Sequence, residues 1–185
     1  MQNEHNDKNR TLKLLQLFDF IDIARFTMEE LPRYRHIPGM TPHPISDKKG
    51  HSYGKRRKKI IRLTEKDWYN NEQYLYAIDL FNFKYYWETH EVLEDLWKLE
   101  EDSILKLFLQ GLIQISAAYL KWIQGLEEGR KKLSFKGLNK LEQVRISHTI
   151  FCGINLSRFI DEHKSFLKTD IHSTSIPPVI DLIKT

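Results

Sequence analysis

The sequence is poor in the residues that punctuate or staple a chain. It has 185 residues but one cysteine, Cys152, which excludes an intramolecular disulfide framework and fits a reducing compartment. Eight glycines and six prolines exclude collagen-like and low-complexity classes. Residues 1–10 are polar and hold no apolar signal core. The longest apolar stretch, Ile104 to Ile123, is interrupted by Lys106, Gln110, Gln114 and Lys121, a poor composition for a membrane span. Charge of one sign is also scarce, since 29 Lys and Arg against 25 Asp and Glu leave a formal +4. So mild an excess says little about partners unless it is clustered. A cytoplasmic domain without a membrane partner is the expectation.

What is present is mostly helical. Residues 11–31 place Leu14, Phe18, Ile21, Ala24, Met28 and Leu31 at steps of three and four, predicting an N-terminal helix (within 1–31) stopped by Pro32. Residues 32–54 then hold four of the six prolines and fit neither helical nor strand period, so they form a long irregular arm. With the basic run that follows, the arm occupies 32–66. A helical core is expected over 67–167. Thr64 with Asp67 resembles a capping box, Asn82 marks a break, and Ser103 is a candidate N-cap for a helix ended by Gly125. Further helices are read over 127–147 and 156–167. In the tail, 168–185, Val179, Ile180, Leu182 and Ile183 predict docking onto the core. No stretch alternates in period two for long enough to be a strand. The fold class is all-α, a compact bundle around a buried central helix at about 104–123.

That central helix is apolar almost all round, so others must enclose it. Its one polar stripe carries Lys106, Gln110, Gln114, Ala117 and Lys121. The stripe is either the helix's solvent window or the wall of a polar pocket, where buried amides would need partners.

The preceding helix reads YYWETHEVLEDLWKL over 85–99. His90, Glu94 and Trp97 share a side at i, i+4 and i+7, bordering the apolar arc of Val92, Leu93, Leu96 and Leu99. Glu88, Glu91 and Asp95 fall on the far side of the wheel, although Glu91 is kept among the candidate ligands. An imidazole–carboxylate pair at i, i+4 can be a structural hydrogen bond, or part of a ligand or metal pocket. HEVLE lacks the second histidine of a zinc-protease helix, so a metal needs ligands from elsewhere.

Taken together, LFNFKYYWETHEVLEDLWKLE and the following FLQGLIQISAAYLKW resemble the family of domain of unknown function 309, whose pattern is HE-x-LE-x-x-W and then FLQGLIQ-x-AA. The arm and the ending SIPPVIDLI are similar to longer members, extending the resemblance over roughly 32–183. It implies a compact helical bundle with one near-central helix, and it implies no activity.

The arm contributes His43, Asp47, His51 and Tyr53 at spacings of four, four and two. These residues can cap turns, or they can bend inward as ligands. Lying across HEVLEDLW, the arm would assemble His43, His51, His90 and Glu94 into one constellation able to hold a divalent metal. A concave site shared by His90, Glu94 and Gln110 or Gln114, covered by the arm, is the corresponding expectation. Residues 48–66 add nine Lys and Arg and a single acid, whereas 88–102 hold seven acids and one lysine. The run is therefore a phosphate-binding footprint, a partner for that acidic helix, or a solvated face. Cys152 reads as a small buried hydrophobe.

Three functions remain. The first is a non-catalytic module for a protein or small ligand, which takes precedence because no complete catalytic set assembles from one motif. The second is a metal- or small-ligand-dependent enzyme using the His/Glu pocket. The third is a nucleic-acid adaptor through 48–66. Oligomeric state has no signature in the sequence.

Overall fold

A computed structural model describes residues 2–56, 59–172 and 175–183; Arg57 and Lys58 of the basic run lie outside the described residues. Six helices account for most of it: α1 (Gln2–Phe18), α2 (Glu72–Asn82), α3 (Tyr86–Leu99), α4 (Ser103–Ile123), α5 (Glu127–Arg145) and α6 (Leu156–Leu167). A two-stranded hairpin, β1 (Ile150–Phe151) and β2 (Ile154–Asn155), joins α5 to α6. The strands are only two residues long, too short to leave a period-two signature in the sequence.

Helix α4 is the centre of the molecule. Leu105, Phe108, Leu109, Leu112, Ile115, Tyr119 and Trp122 are all buried along it, packed by α3 on one side and α5 on another. By length and composition this helix could cross a membrane, but its apolar faces are mostly buried inside the protein. Asp102 caps it, accepting from the amides of Ile104 and Leu105, so the cap lies one residue before the expected Ser103. Helix α5 comes close because glycine meets glycine. A Cβ on Gly137 would lie 2.9 Å from the Gly111 carbonyl oxygen, and one on Gly111 would lie 2.8 Å from Leu141.

Asn71, not Thr64, caps α2, accepting from the Tyr74 amide at 2.9 Å. The amide group of Asn71 also holds the Ile61 carbonyl, which ties the cap to the incoming chain and explains why the capping-box spacing is not used. The break near Asn82 is real. Lys84 adopts φ 67° in the turn between α2 and α3, and its ammonium donates to the carbonyls of Pro177 and Pro178 in the tail. Asn82 pairs reciprocally with the backbone of Ile180, and Leu182 bridges Ile154. The tail is docked through these contacts, with Ile180 buried and Ile183 exposed.

The N-terminal helix departs from its expected extent. It ends at Phe18, and residues 19–31 run as an irregular strap. Asp79, buried on α2, accepts from the amides of Phe26 and Thr27 and from the Thr27 hydroxyl. Amides engaged by a carboxylate across the chain cannot serve a helix, so a tertiary contact overrides the periodicity of 19–31. Arg35 closes the end of α1 by donating to the Phe18 carbonyl and to Asp19, while its Nε donates to the Phe83 carbonyl.

Candidate functional site

The strap, the arm, α2 and α3 enclose a cavity of about 360 Å³. From α3 come Trp87, Glu88, Glu91, Val92 and Asp95, the last four sharing one helical face at i, i+3, i+4 and i+7. Helix α2 adds Glu72, Gln73, Tyr76 and Leu80, and the arm adds Ile45, His51, Ser52, Lys55 and Arg56. The wall thus mixes apolar surface with convergent polar groups, the usual character of a small-ligand site.

Glu88 anchors this assembly. It is 5% exposed, and its Oε1 accepts from His51 Nε2 at 2.9 Å and from the His36 amide at 2.9 Å. The other nitrogen of His51, Nδ1, is 2.9 Å from the Ser52 hydroxyl, and the His51 amide donates to the Tyr34 hydroxyl. Oε2 of Glu88 is buried and has no hydrogen-bond partner among the described residues. At the neighbouring position of α3, the His36 and His43 rings stand edge-on to Trp87, with centroids 4.9 and 5.4 Å away. Burial pushes the His36 imidazole below its ordinary pKa, against the raising effect of Glu88. Tyr76 donates to the Glu30 carbonyl, and burial raises its phenol.

The arm therefore does lie across α3, but over its first two turns. His51 joins Glu88 there. His43 packs edge-on against Trp87, and its Nδ1 accepts from the amides of Ile45 and Ser46 at 3.3 Å, a turn-stabilising role. Asp47 accepts from the Lys49 amide within the same turn, and Tyr53 is exposed. Of the α3 candidates, Glu91 lines the cavity, whereas His90 and Glu94 do not. The face read as the far side, Glu88, Glu91 and Asp95, is the one the arm covers. A wheel assigns acids to solvent, and Glu88 departs from that because a histidine 37 residues earlier supplies its donor.

His90, Glu91 and Glu94 form a half-buried cluster, sharing Glu91 with the cavity wall, in which one ligand atom from each lies within 4.8 Å of the others, close enough to share a divalent cation. His90 Nδ1 is 3.7 Å from Glu91, and Glu94 pairs with Lys98 at 3.0 Å. Trp97 carries the Lys106 ammonium 5.2 Å from its ring centroid. Gln110 and Gln114 are half-exposed on the polar stripe of α4, outside the cavity lining, and Gln114 accepts from Lys140. The stripe is that helix's solvent window.

Within the basic run, Arg62 turns inward to the acidic end of α3, 2.7 Å from Glu100 and 3.3 Å from Glu101. Burial pushes the Glu100 carboxyl up, but Arg62 and the amides of Asp102 and Glu101 outweigh it and hold it below its ordinary range. Lys55 and Arg56 stand on the cavity wall. Cys152 is buried at a left-handed position in the hairpin turn, with its thiol pushed up by burial.

Residues 74–133, from α2 into α5, match the model of the family described as Domain of unknown function (DUF309). Over that segment the chain is similar to the family. No curated protein and no solved structure matches it. The DUF309 match contains Tyr76, Leu80, Trp87, Glu88, Glu91, Val92 and Asp95 of the cavity, while His51, Lys55 and Arg56 come from the arm before it. The cavity is thus built jointly by the DUF309 segment and the arm.

Proposed function

We propose that the protein is a ligand-binding module whose site is the cavity between α2, α3 and the arm. The observation that carries this reading is the Glu88 carboxylate, buried in the cavity wall with one oxygen saturated and the other without a partner among the described residues. An acceptor left unmet in a protein interior costs about 1–3 kcal/mol, more when charged, so its retention suits a group that meets its partner in the bound state. The volume lies near the lower end of small-molecule pockets, roughly 300–1,000 Å³. Ser52, His51 and Glu88 form a hydrogen-bonded chain in steps of 2.9 Å, and we read it as fastening the arm to α3, which favours binding over catalysis.

The test is a fragment screen read by chemical-shift perturbation. Hits should map to Ile45, Trp87 and Val92 and disappear in Val92→Phe, which fills the cavity from a half-exposed position. Hits that persist in Val92→Phe and map elsewhere would refute the reading.

A second reading, a metal-dependent role, draws on the His90, Glu91 and Glu94 cluster. Metal analysis of protein purified without an affinity tag decides it. Stoichiometric divalent metal lost in His90→Ala supports the role, and metal-free protein that takes up none on titration removes it.

A further inference from the structure

We infer that the cavity selects a small organic cation, an alkyl- or arylammonium, whose charged head sits on Glu88. This rests on the cavity being the binding site and specifies what it binds. Three observations converge on that chemistry.

The first is the donor balance at Glu88. Its Oε1 already accepts from His51 Nε2 and from the His36 amide, both at 2.9 Å, so further recognition falls to Oε2. None of the described residues satisfies that oxygen. His51 cannot turn to it without abandoning Oε1, because its Nδ1 is held by Ser52. The missing partner is a donor, and none of the described residues supplies it.

The second is the sign of the charge at the site. A carboxylate oxygen accepts either a neutral hydroxyl or a cationic N–H, but charge-assisted bonds are roughly twice as strong as neutral ones. Although Lys55 and Arg56 also stand on the wall, an anionic group at Oε2 would face Glu88 directly, with electrostatic repulsion in a partly desolvated setting.

The third is the aromatic and aliphatic surround. Trp87 and Tyr76 line the same cavity as Ile45, Ile60, Leu80 and Val92. An ammonium gains about 0.5–2 kcal/mol against an aromatic face, and its hydrocarbon body can bury against the apolar wall. A bare metal ion would use only the carboxylates and leave that wall without an occupant.

The experiment titrates full-length protein with matched probes, an amine, an alcohol and a carboxylate on each of phenylethyl, cyclohexylethyl and n-hexyl bodies. Binding is followed by calorimetry and by Trp87 side-chain shifts. Amines should bind at least about tenfold tighter than the alcohols of the same body, with carboxylates weaker still. In Glu88→Gln, amine affinity should fall to that of the alcohol while the alcohol changes less than about twofold. Alcohols or carboxylates that bind as well as the amines would overturn the cation inference and leave the cavity as a binding site. Failure of all the probes to perturb the cavity would overturn both. The series on unaltered protein decides the matter even where Glu88→Gln does not fold.

Discussion

His51 and Glu88 meet at 2.9 Å, Nε2 to Oε1, with both side chains only 5% exposed. One belongs to a proline-rich arm and the other to the first turn of α3. Their pairing fastens an irregular segment onto a helix that would otherwise present a row of acids to solvent. The fastening is doubled by the His36 amide, which uses the same carboxylate oxygen.

Removing either partner should loosen the arm, and the two removals should differ. His51→Ala deletes one donor and leaves a buried carboxylate with the His36 amide alone, a cost of about 1–3 kcal/mol. Glu88→Ala strands two buried donors and should cost more than His51→Ala. Thermal melts give the ranking. Limited proteolysis should show earlier cleavage within 48–56 in both variants, and cleavage that begins instead in α5 would contradict arm release as the primary event.

Gly137→Ala is expected to destabilise although alanine is the better helix former by about 1 kcal/mol. The added Cβ would lie 2.9 Å from the Gly111 carbonyl oxygen and about as close to Ile115, so α5 must retreat from α4. Overpacking of this kind typically costs about 1–3 kcal/mol. Denaturant unfolding measures it, and a variant as stable as the parent would mean that the helices separate without penalty.

Much of this architecture was legible because α4 is apolar on nearly every face, which only a surrounding bundle accommodates, and because Asn82 and Gly125 mark boundaries that the chain respects. Helix periodicity misled over 19–31. The steps from Ile21 to Leu31 are real, yet burial there alternates, with Ile21, Ile23, Arg25 and Thr27 turned inward and their neighbours outward. The signal that decides the segment is Asp79, some fifty residues later, whose carboxylate takes the strap's amides. The site was only partly legible for the same reason. His51 and Glu91 carried visible ligand chemistry, but Glu88 looked like a surface acid until the arm was laid over it. Long-range pairings leave no period in a sequence.

Lys84 makes stability rise with pH above neutrality. Its side chain is buried, and loss of solvation with Arg35 nearby lowers its pKa from 10.5 to about 7. Between those values the unfolded chain holds a proton that the folded chain releases, so stability grows with pH across that window and falls as pH drops toward 7. A tenfold difference in proton affinity between the two states is worth about 1.4 kcal/mol, which sets a ceiling of a few kcal/mol. Chemical denaturation at pH 7 and pH 9 should show a gain at the higher pH that Lys84→Met abolishes. A parent with equal stability at both would place the ammonium in a better-solvated setting than the Pro177 and Pro178 carbonyls provide.

His163 governs the acid side. It is enclosed in the core, stacked on Phe159 with ring centroids 3.7 Å apart, and its Nδ1 donates to the Phe159 carbonyl at 2.6 Å. Burial lowers its pKa from 6.5 to about 3, with Lys84 adding in the same direction and the Phe159 carbonyl opposing. Below pH 6.5 the unfolded chain therefore takes up a proton that the folded chain refuses. The stability contributed by this group is complete above pH 6.5 and is lost as pH falls toward 3, at up to about 1.4 kcal/mol for each tenfold rise in proton concentration. Carboxylates held low by cations, such as Glu100 and Glu142, add losses of their own as they protonate. The His163 share is isolated by difference. His163→Phe keeps an aromatic ring against Phe159 and Tyr119 but removes the titration. Its stability relative to the parent, measured by urea unfolding at pH 7, 6, 5 and 4, should improve steadily as pH drops. A constant difference across that range would mean that His163 takes up its proton in the folded state as readily as in the unfolded chain.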